Sequence, residues 1–176
     1  MTIQDYLGLL AARYSVRSFS DEPVSEEELT AVLSAAPLSP SAKNMQPTRL
    51  CVVQSPEGLA KIDECTQCRY GAPVVVIAAF NKNASIKGLG FEGDDFGNID
   101  ASIILTNLAN AAAAAGLGSC WVGAFDAKAV RERFNVPKDY QLVDLMMIGH
   151  PAVDAEPSPR HTLNLPLETV VARESF

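Results

Sequence analysis

Apolar residues near the N-terminus recur at helical spacing. Thr2 and Asp5 have the spacing of a capping box, and the apolar positions beside them are Ile3, Tyr6, Leu7 and Leu10. This pattern predicts a short helix that ends near Arg13. Ser25 and Glu28 form a second capping box before an apolar stripe. We expect that helix to stop at Pro37.

A different pattern, continuous rather than periodic, occupies the middle of the chain. Val74 to Phe80 is an unbroken apolar run rich in β-branched residues, which predicts a central strand covered on both faces. Further strands are predicted at Leu50 to Gln54, Ser119 to Val122 and Gln141 to Ile148. Short helices are predicted after the caps Ser55 and Asp126, and a last apolar segment at Leu167 to Ala172.

The longest predicted helix follows a polar, glycine-rich stretch from Asn81 to Gly97. We expect Asn98 or Asp100 to cap this helix, which runs to about Ala115 and is buried nearly all round. Gly116 then stands where a left-handed cap is expected. The stretch before the helix is either a lid over a ligand or a plain surface loop, and the sequence leaves both open.

These elements alternate imperfectly, and several connections are too short for parallel crossovers. We therefore predict a single α+β domain over residues 1–176, with a mostly antiparallel sheet of four or five strands flanked by helices. Neither GxGxxG after a strand nor GxxxxGK occurs, so the usual nucleotide-binding signatures are absent.

Composition limits the partners. The formal net charge of −7 argues against nucleic acid as the main partner, because phosphate backbones bind basic surfaces. The sequence shows no pattern of a signal peptide or a membrane span. We therefore expect a cytoplasmic protein that binds neither nucleic acid nor membrane.

The cysteines suggest no cofactor of their own. Cys65 and Cys68 form one CxxC pair, Cys51 and Cys120 are isolated, and no second metal-binding pair follows. Ordinary free thiols are favoured over a zinc or dithiol centre, which stays a minor alternative. We expect no metal site.

Two polar stretches are candidates for chemistry. Arg13, Ser15 and Arg17 alternate, so in an extended chain they share one face and could bind a phosphate or another planar anion. Solvated surface charge is the plain alternative. The second stretch, Pro37 to Arg49, contains three prolines and several small or amide side chains. Such a loop is either functional or a simple connector.

Four stretches together resemble the nitroreductase family of FMN enzymes. Arg13 to Phe19 is similar to its RxSxRxF opening, and Pro40 to Pro47 to its (A/S)PSxxNxQPW loop. Gly116 to Gly123 resembles its GLGxxWxG stretch, and Ile148 to Pro151 its GxP strand end. Thr48 departs from the pattern, since an aromatic residue usually follows QP.

The resemblance implies an intertwined homodimer with FMN at the interface. Arg13, Ser15 and Arg17 would hold the phosphate, the ribityl chain and the N1/O2 edge, with Tyr14 beside them, and Arg160 would complete the phosphate clamp. The partner subunit would supply Pro40, Ser41 and Asn44 against the isoalloxazine ring, and Ala42 and Gln46 of the same loop are further candidates for cofactor binding. Backbone at Val122 and Gly123 would lie near the flavin ring.

The resemblance also implies the reaction. NADH or NADPH would pass hydride to flavin N5, and a quinone, nitroaromatic or similar small acceptor would then take the electrons in a ping-pong cycle. No side chain is assigned a catalytic role. Flavin-fragmenting, dehalogenating and azoline-oxidising relatives, and a non-enzymatic flavin-binding dimer, remain alternatives.

Overall fold

The computed structural model describes residues 1–88 and 95–176, which form an α+β fold. In these residues the helices are α1 (Ile3–Ala12), α2 (Glu26–Leu33), α3 (Pro56–Asp63), α4 (Phe96–Ala114), α5 (Ala127–Arg133) and α6 (Leu167–Val170). The strands are β1 (Thr48–Val53), β2 (Val74–Asn81), β3 (Gly118–Val122) and β4 (Tyr140–Gly149). A 3₁₀ turn spans Ala42–Asn44.

The strands form one antiparallel sheet in the order β1-β2-β4-β3. The predicted continuous strand is confirmed, because every residue of Val74 to Phe80 is buried. This strand pairs on both sides, with β1 and β4, and both of its faces are covered. One core packs α3 and α5 against one face, and the other packs α2 and α4 against the opposite face.

The predicted start of α4 is wrong by several residues. Asp95, rather than Asn98 or Asp100, is the N-cap, and its Oδ1 accepts from the Gly97 N–H at 3.0 Å. Asp100 is instead buried within the helix, where its carboxylate accepts from the Ala42 N–H at 2.9 Å. A contact between residues so far apart in the chain overrides the local capping signal.

More of α4 is exposed to solvent than the sequence predicted. Ile99 is 48% exposed, Thr106 is exposed, and Ile103 and Asn110 are only partly covered. These four residues recur three or four positions apart and therefore share one face of the helix. The expectation of burial all round is therefore wrong for a single chain.

Several local signals are confirmed. Both capping boxes form, at Thr2 with Asp5 and at Ser25 with Glu28. Gly116 adopts the left-handed conformation at φ +77° and follows the last turn of α4. The second helix, however, ends at Leu33 rather than Pro37, because Ala35 and Ala36 bond three residues back and tighten its last turn.

The glycine-rich stretch from Asn81 to Gly97 falls partly outside the described residues. Asn81 closes β2, Lys87 pairs with Asp95, and Gly97 belongs to the first turn of α4. The proposed lid centres on residues 89–94, which the structure does not describe. In the described ranges, no helix has the length and hydropathy needed to cross a membrane.

Candidate functional site

The segment after α1 is extended and anchored to the edge of the sheet. Arg13 ends the helix with extended backbone, φ −66° and ψ 126°. Ser15 pairs with Ser119 in a parallel bridge, and the Val16 N–H donates to the Ser119 carbonyl at 2.9 Å. This anchoring fixes the alternation of side chains that the sequence indicated.

Arg13 and Ser15 open into a cavity of about 250 Å³ between α4 and β3. The other lining residues are Thr106, Ala109, Asn110, Ser119 and Trp121. No acidic side chain is among these lining residues, and the Arg13 guanidinium forms no ion pair with any described residue. Although the net charge of the protein is −7, the described residues that line this cavity are one arginine, three hydroxyl side chains, one amide, one alanine and one tryptophan.

Arg17 does not line this cavity. It is exposed, and its guanidinium bends back to donate to the Ser15 carbonyl at 3.4 Å. Hydrogen bonding to Cys68 and burial raise the pKa of Tyr70, while Arg17 opposes that rise. Of the three donors that the sequence predicted along one face, only Arg13 and Ser15 therefore line this cavity.

Tyr14 and Arg160 lie where the C-terminal segment meets the end of α1. The Tyr14 hydroxyl donates to the Ala155 carbonyl at 3.3 Å, and its ring packs edge-on against His161 at 6.0 Å between centroids. His161 Nε2 lies 2.9 Å from the Ala11 carbonyl oxygen. Arg160 is exposed and precedes His161 directly, so this packing holds it close to the end of the helix that carries Arg13.

The loop before β1 is strained and tightly bonded. Lys43, Asn44 and Gln46 have positive φ angles of 49°, 56° and 48°, and such conformations cost about 1–3 kcal/mol each. The Ser41 hydroxyl accepts from the Gln46 N–H at 3.0 Å, and Asn44 Oδ1 accepts from Gln46 Nε2 at 3.0 Å. The Asp100 carboxylate on α4 accepts from the Ala42 N–H and so anchors the loop to that helix.

A second cavity, of about 260 Å³, lies beside this loop. Its lining residues are Ala36, Pro37, Ser39, Ser41, Gln46, Thr48, Arg49, Leu50 and Ile104. Among the described residues, only Thr48 Oγ1 and Asp100 Oδ2 are buried side-chain oxygens without a hydrogen-bond partner. Thr48 begins β1 directly after the loop, and Asp100 supports the loop from α4. The loop therefore borders two buried oxygens that lack a partner among the described residues.

One chain does not bring the two halves of the predicted site together. Asp100 supports the loop, and Asn110 lines the Arg13 cavity. Ten residues of α4 separate these positions, which corresponds to roughly 15 Å along the helix axis. Pro40, Ser41 and Asn44 thus lie in a different region from Arg13 and Ser15.

The end of β3 contributes backbone rather than side chains. The Val122 side chain is 5% exposed and belongs to the core. Gly123 is exposed and has no side chain, so a ligand at this point can meet only main-chain atoms of these two residues.

Sequence reasoning missed five lining residues of the Arg13 cavity, which are Thr106, Ala109, Asn110, Ser119 and Trp121. Trp121 lies two residues after Ser119 and so faces the same side of β3, a signal that alternation along the strand could have provided. Thr106 and Asn110 are one helical turn apart on α4. Their spacing predicts a shared face but not which strand that face meets.

The CxxC pair has the properties of ordinary thiols. Cys65 is buried, its thiol donates to the Lys61 carbonyl at 3.1 Å, and burial raises its pKa. All four cysteines are free. Within residues 1–88 and 95–176, no group of three or more His, Cys, Asp or Glu side chains is placed to hold a metal ion.

The chain is similar to known proteins over most of its length. Residues 10–70 and 66–150 match the profile of the Nitroreductase family. The FMN reductase (NAD(P)H) of Bacillus subtilis strain 168 is 31% identical over 179 residues, which cover 92% of this chain and 70% of that protein.

Solved structures share the fold over nearly the whole chain. A nitroreductase family protein from Clostridium difficile 630 has a TM-score of 0.88 at 31% identity, covering 96% of this chain and 97% of that one. A chain described as a nitroreductase in complex with FMN, from Desulfovibrio desulfuricans, has a TM-score of 0.80 at 25% identity, covering 97% and 96%.

Proposed function

The chain belongs to the nitroreductase family, and on that premise we propose that it is an FMN-dependent NAD(P)H oxidoreductase. We further propose that it works as a homodimer and passes electrons to a quinone, a nitroaromatic or a similar small acceptor in a ping-pong cycle. The observation that carries the proposal is the cavity whose Arg13 forms no ion pair with any described residue. Its neighbours Ser15, Asn110 and Ser119 add neutral polar groups.

The chemistry of this cavity fits the phosphate end of FMN. A phosphate needs charge-assisted donors, and guanidinium groups match its oxygens two bonds at a time. Arg13 is available for such a contact, Ser15 can donate beside it, and no carboxylate among the lining residues opposes an anion. Arg17 and Arg160 do not line this cavity, but both are exposed, and in this proposal they complete the set of cations around the phosphate.

The residues of this chain would bind and orient the cofactor. When bound, FMN supplies the hydride chemistry between a reduced nicotinamide and the acceptor. Arg13 would supply the positive charge that binds the phosphate. Backbone at Gly123 would border the ring, and no general acid is assigned.

In a homodimer, the two halves of the predicted site, the Arg13 cavity and the loop from Pro40 to Gln46, could come together from different subunits. The partner's copy of the Pro40 to Gln46 loop could complete the cavity that Arg13 begins, which one chain cannot do across roughly 15 Å. The exposed apolar side chains support such an interface. Ile99 on α4 is 48% exposed, and Leu163, Leu165 and Leu167 in the C-terminal segment are 75%, 69% and 74% exposed.

The decisive experiment is cofactor content. The protein is purified without added flavin, released flavin is identified, and the visible spectrum gives the ratio of FMN to chain. We expect FMN near one per chain and reduction of the bound flavin by NADH or NADPH. Protein that is colourless and takes up no added FMN would refute the proposal.

The variant Arg13→Ala tests directly whether Arg13 binds FMN. Loss of a hydrogen-bonded cation should weaken FMN binding roughly tenfold to a hundredfold. Arg133→Ala is the matched control, because it removes the same charge from a surface pair with Glu64. Equal FMN affinity in both variants would contradict the role of Arg13.

A further inference from the structure

The single tryptophan of the chain is held in place by one carboxylate. Trp121 Nε1–H donates to Asp144 Oδ2 at 2.7 Å, and the indole is 37% exposed where it lines the Arg13 cavity. Hydrogen bonds to an ionised acceptor are stronger than neutral ones. The contact therefore fixes the orientation of a large aromatic wall of the proposed cofactor site.

The sheet register explains why these two side chains meet. Trp121 on β3 pairs with Met146 on β4, so Asp144 is its diagonal neighbour, two residues along, on the same face. Met146 is fully buried beneath α4, whereas Asp144 and Trp121 lie at the more exposed end of the strand pair. Neither residue is needed to fill the core.

The other oxygen of the same carboxylate borders the turn after β3. A Cβ built on Gly123 would lie 3.0 Å from Asp144 Oδ1. Asp144 thus bonds to the indole and lies close to the Gly123 backbone, which the resemblance places near the flavin ring. Asp144 forms no ion pair with any described residue, so its partner is the indole N–H.

We propose that Asp144 is a positioning residue, which holds the Trp121 indole as a wall of the cofactor cavity and acts on cofactor binding through that indole. The inference rests on the proposed function for its ligand, FMN. It assigns no contact between Asp144 and the cofactor itself.

The direction in which FMN affinity changes when Asp144 is removed distinguishes a positioning role from a direct effect of its charge. A carboxylate near an anion disfavours binding by charge alone, so removing it should tighten binding of FMN. If the carboxylate instead positions the indole, removing it should weaken binding of FMN, because the indole is then no longer held beside the cavity. Asp144→Ala and Asp144→Asn remove the same charge, but only Asn keeps an oxygen that accepts from the indole N–H.

The first experiment measures FMN affinity by the quenching of flavin fluorescence on binding. We expect Asp144→Ala to weaken binding about tenfold, the effect of one lost hydrogen bond to a charged group. Asp144→Asn should stay within about threefold of wild type, and Asp154→Ala, an exposed aspartate, should have no effect. Tighter or unchanged binding by Asp144→Ala would overturn the proposal.

A double-mutant cycle tests the route through the indole. Trp121→Phe removes the N–H and keeps an aromatic ring, so adding Asp144→Ala to it should cause no further loss of affinity. A full additional tenfold loss would show that Asp144 acts elsewhere and would overturn the inference.

A second readout needs no cofactor. Trp121 is the only tryptophan, so acrylamide quenching of the apoprotein reports its accessibility alone. Asp144→Ala should increase quenching and Asp144→Asn should restore it, with circular dichroism confirming that both fold. If wild type binds no FMN, the proposed function fails, and the quenching comparison still decides whether Asp144 holds the indole. Unchanged quenching would refute that contact.

Discussion

The contact between Gly97 and Phe80 leads to a sharp prediction for stability. A Cβ built on Gly97 would lie 2.1 Å from Phe80 Cδ2 and 2.4 Å from Cε2. Carbon atoms in contact are normally 3.5–4.0 Å apart. Phe80 is completely buried at the end of β2, so its ring has little room to move. Gly97→Ala must therefore displace either the ring or the first turn of α4.

The expected magnitude follows from two opposing effects. Overpacking a core costs about 1–3 kcal/mol, and the severity of this overlap indicates the upper end. Alanine regains about 1 kcal/mol of helix propensity over glycine. The net loss is about 2 kcal/mol, which for a chain of 176 residues lowers Tm by roughly 4–8 °C.

Gly8→Ala is the matched control for this measurement. Gly8 lies in α1 with nothing within 4 Å of a built Cβ, so the same substitution should stabilise by about 0.5–1 kcal/mol. Thermal unfolding is followed by circular dichroism at equal chain concentration, because association raises apparent stability. If Gly97→Ala melted at or above the wild-type temperature, the packing argument would be refuted.

Two further predictions concern hydrogen bonding. Thr48→Val should raise stability by about 1 kcal/mol in urea unfolding, because the buried Thr48 Oγ1 has no partner among the described residues; a loss of stability would mean that the assembled protein supplies one. Hydrogen bonds from Ser25 lower the pKa of Glu28 from its ordinary value of 4.5, so its contribution is present above that pH and is lost as the pH falls through the lowered pKa. Wild type should therefore exceed Glu28→Gln in stability at about pH 7, and the difference should shrink as the pH falls through the lowered pKa of Glu28; a pH-independent difference would contradict this reasoning.

Local signals in the sequence predicted most of the fold. The capping boxes, the left-handed Gly116 and the apolar run from Val74 to Phe80 depend on neighbouring residues, and all are confirmed. The start of α4 was wrong because three acceptors, Asp95, Asn98 and Asp100, fall within two helical turns. Only the long-range contact of Asp100 with the Ala42 N–H shows why that residue lies inside the helix.

In the candidate site, too, the features that depend on neighbouring residues were predicted and those that depend on distant residues were not. Alternation along extended chain predicted that Arg13 and Ser15 share a face, and they do. It could not predict that Arg17 bends back to the Ser15 carbonyl, because a long, exposed side chain is not fixed by backbone direction. Trp121 was missed since its role depends on a strand pairing, and its partner Asp144 lies 23 residues away in the chain.

The helix α4 links stability to the proposed binding site. Its first turn packs on Phe80, Asp100 then supports the strained loop, and Asn110 lines the Arg13 cavity two to three turns further on. A helix is stiff over this length, so a displacement at Gly97 should reach both half-sites, with the larger effect on the nearer loop. Gly97→Ala should therefore weaken FMN binding as well as stability, whereas Gly8→Ala should change stability alone. Unaltered FMN affinity in a destabilised Gly97→Ala protein would mean that the loop, and not the helix, sets the geometry of the site.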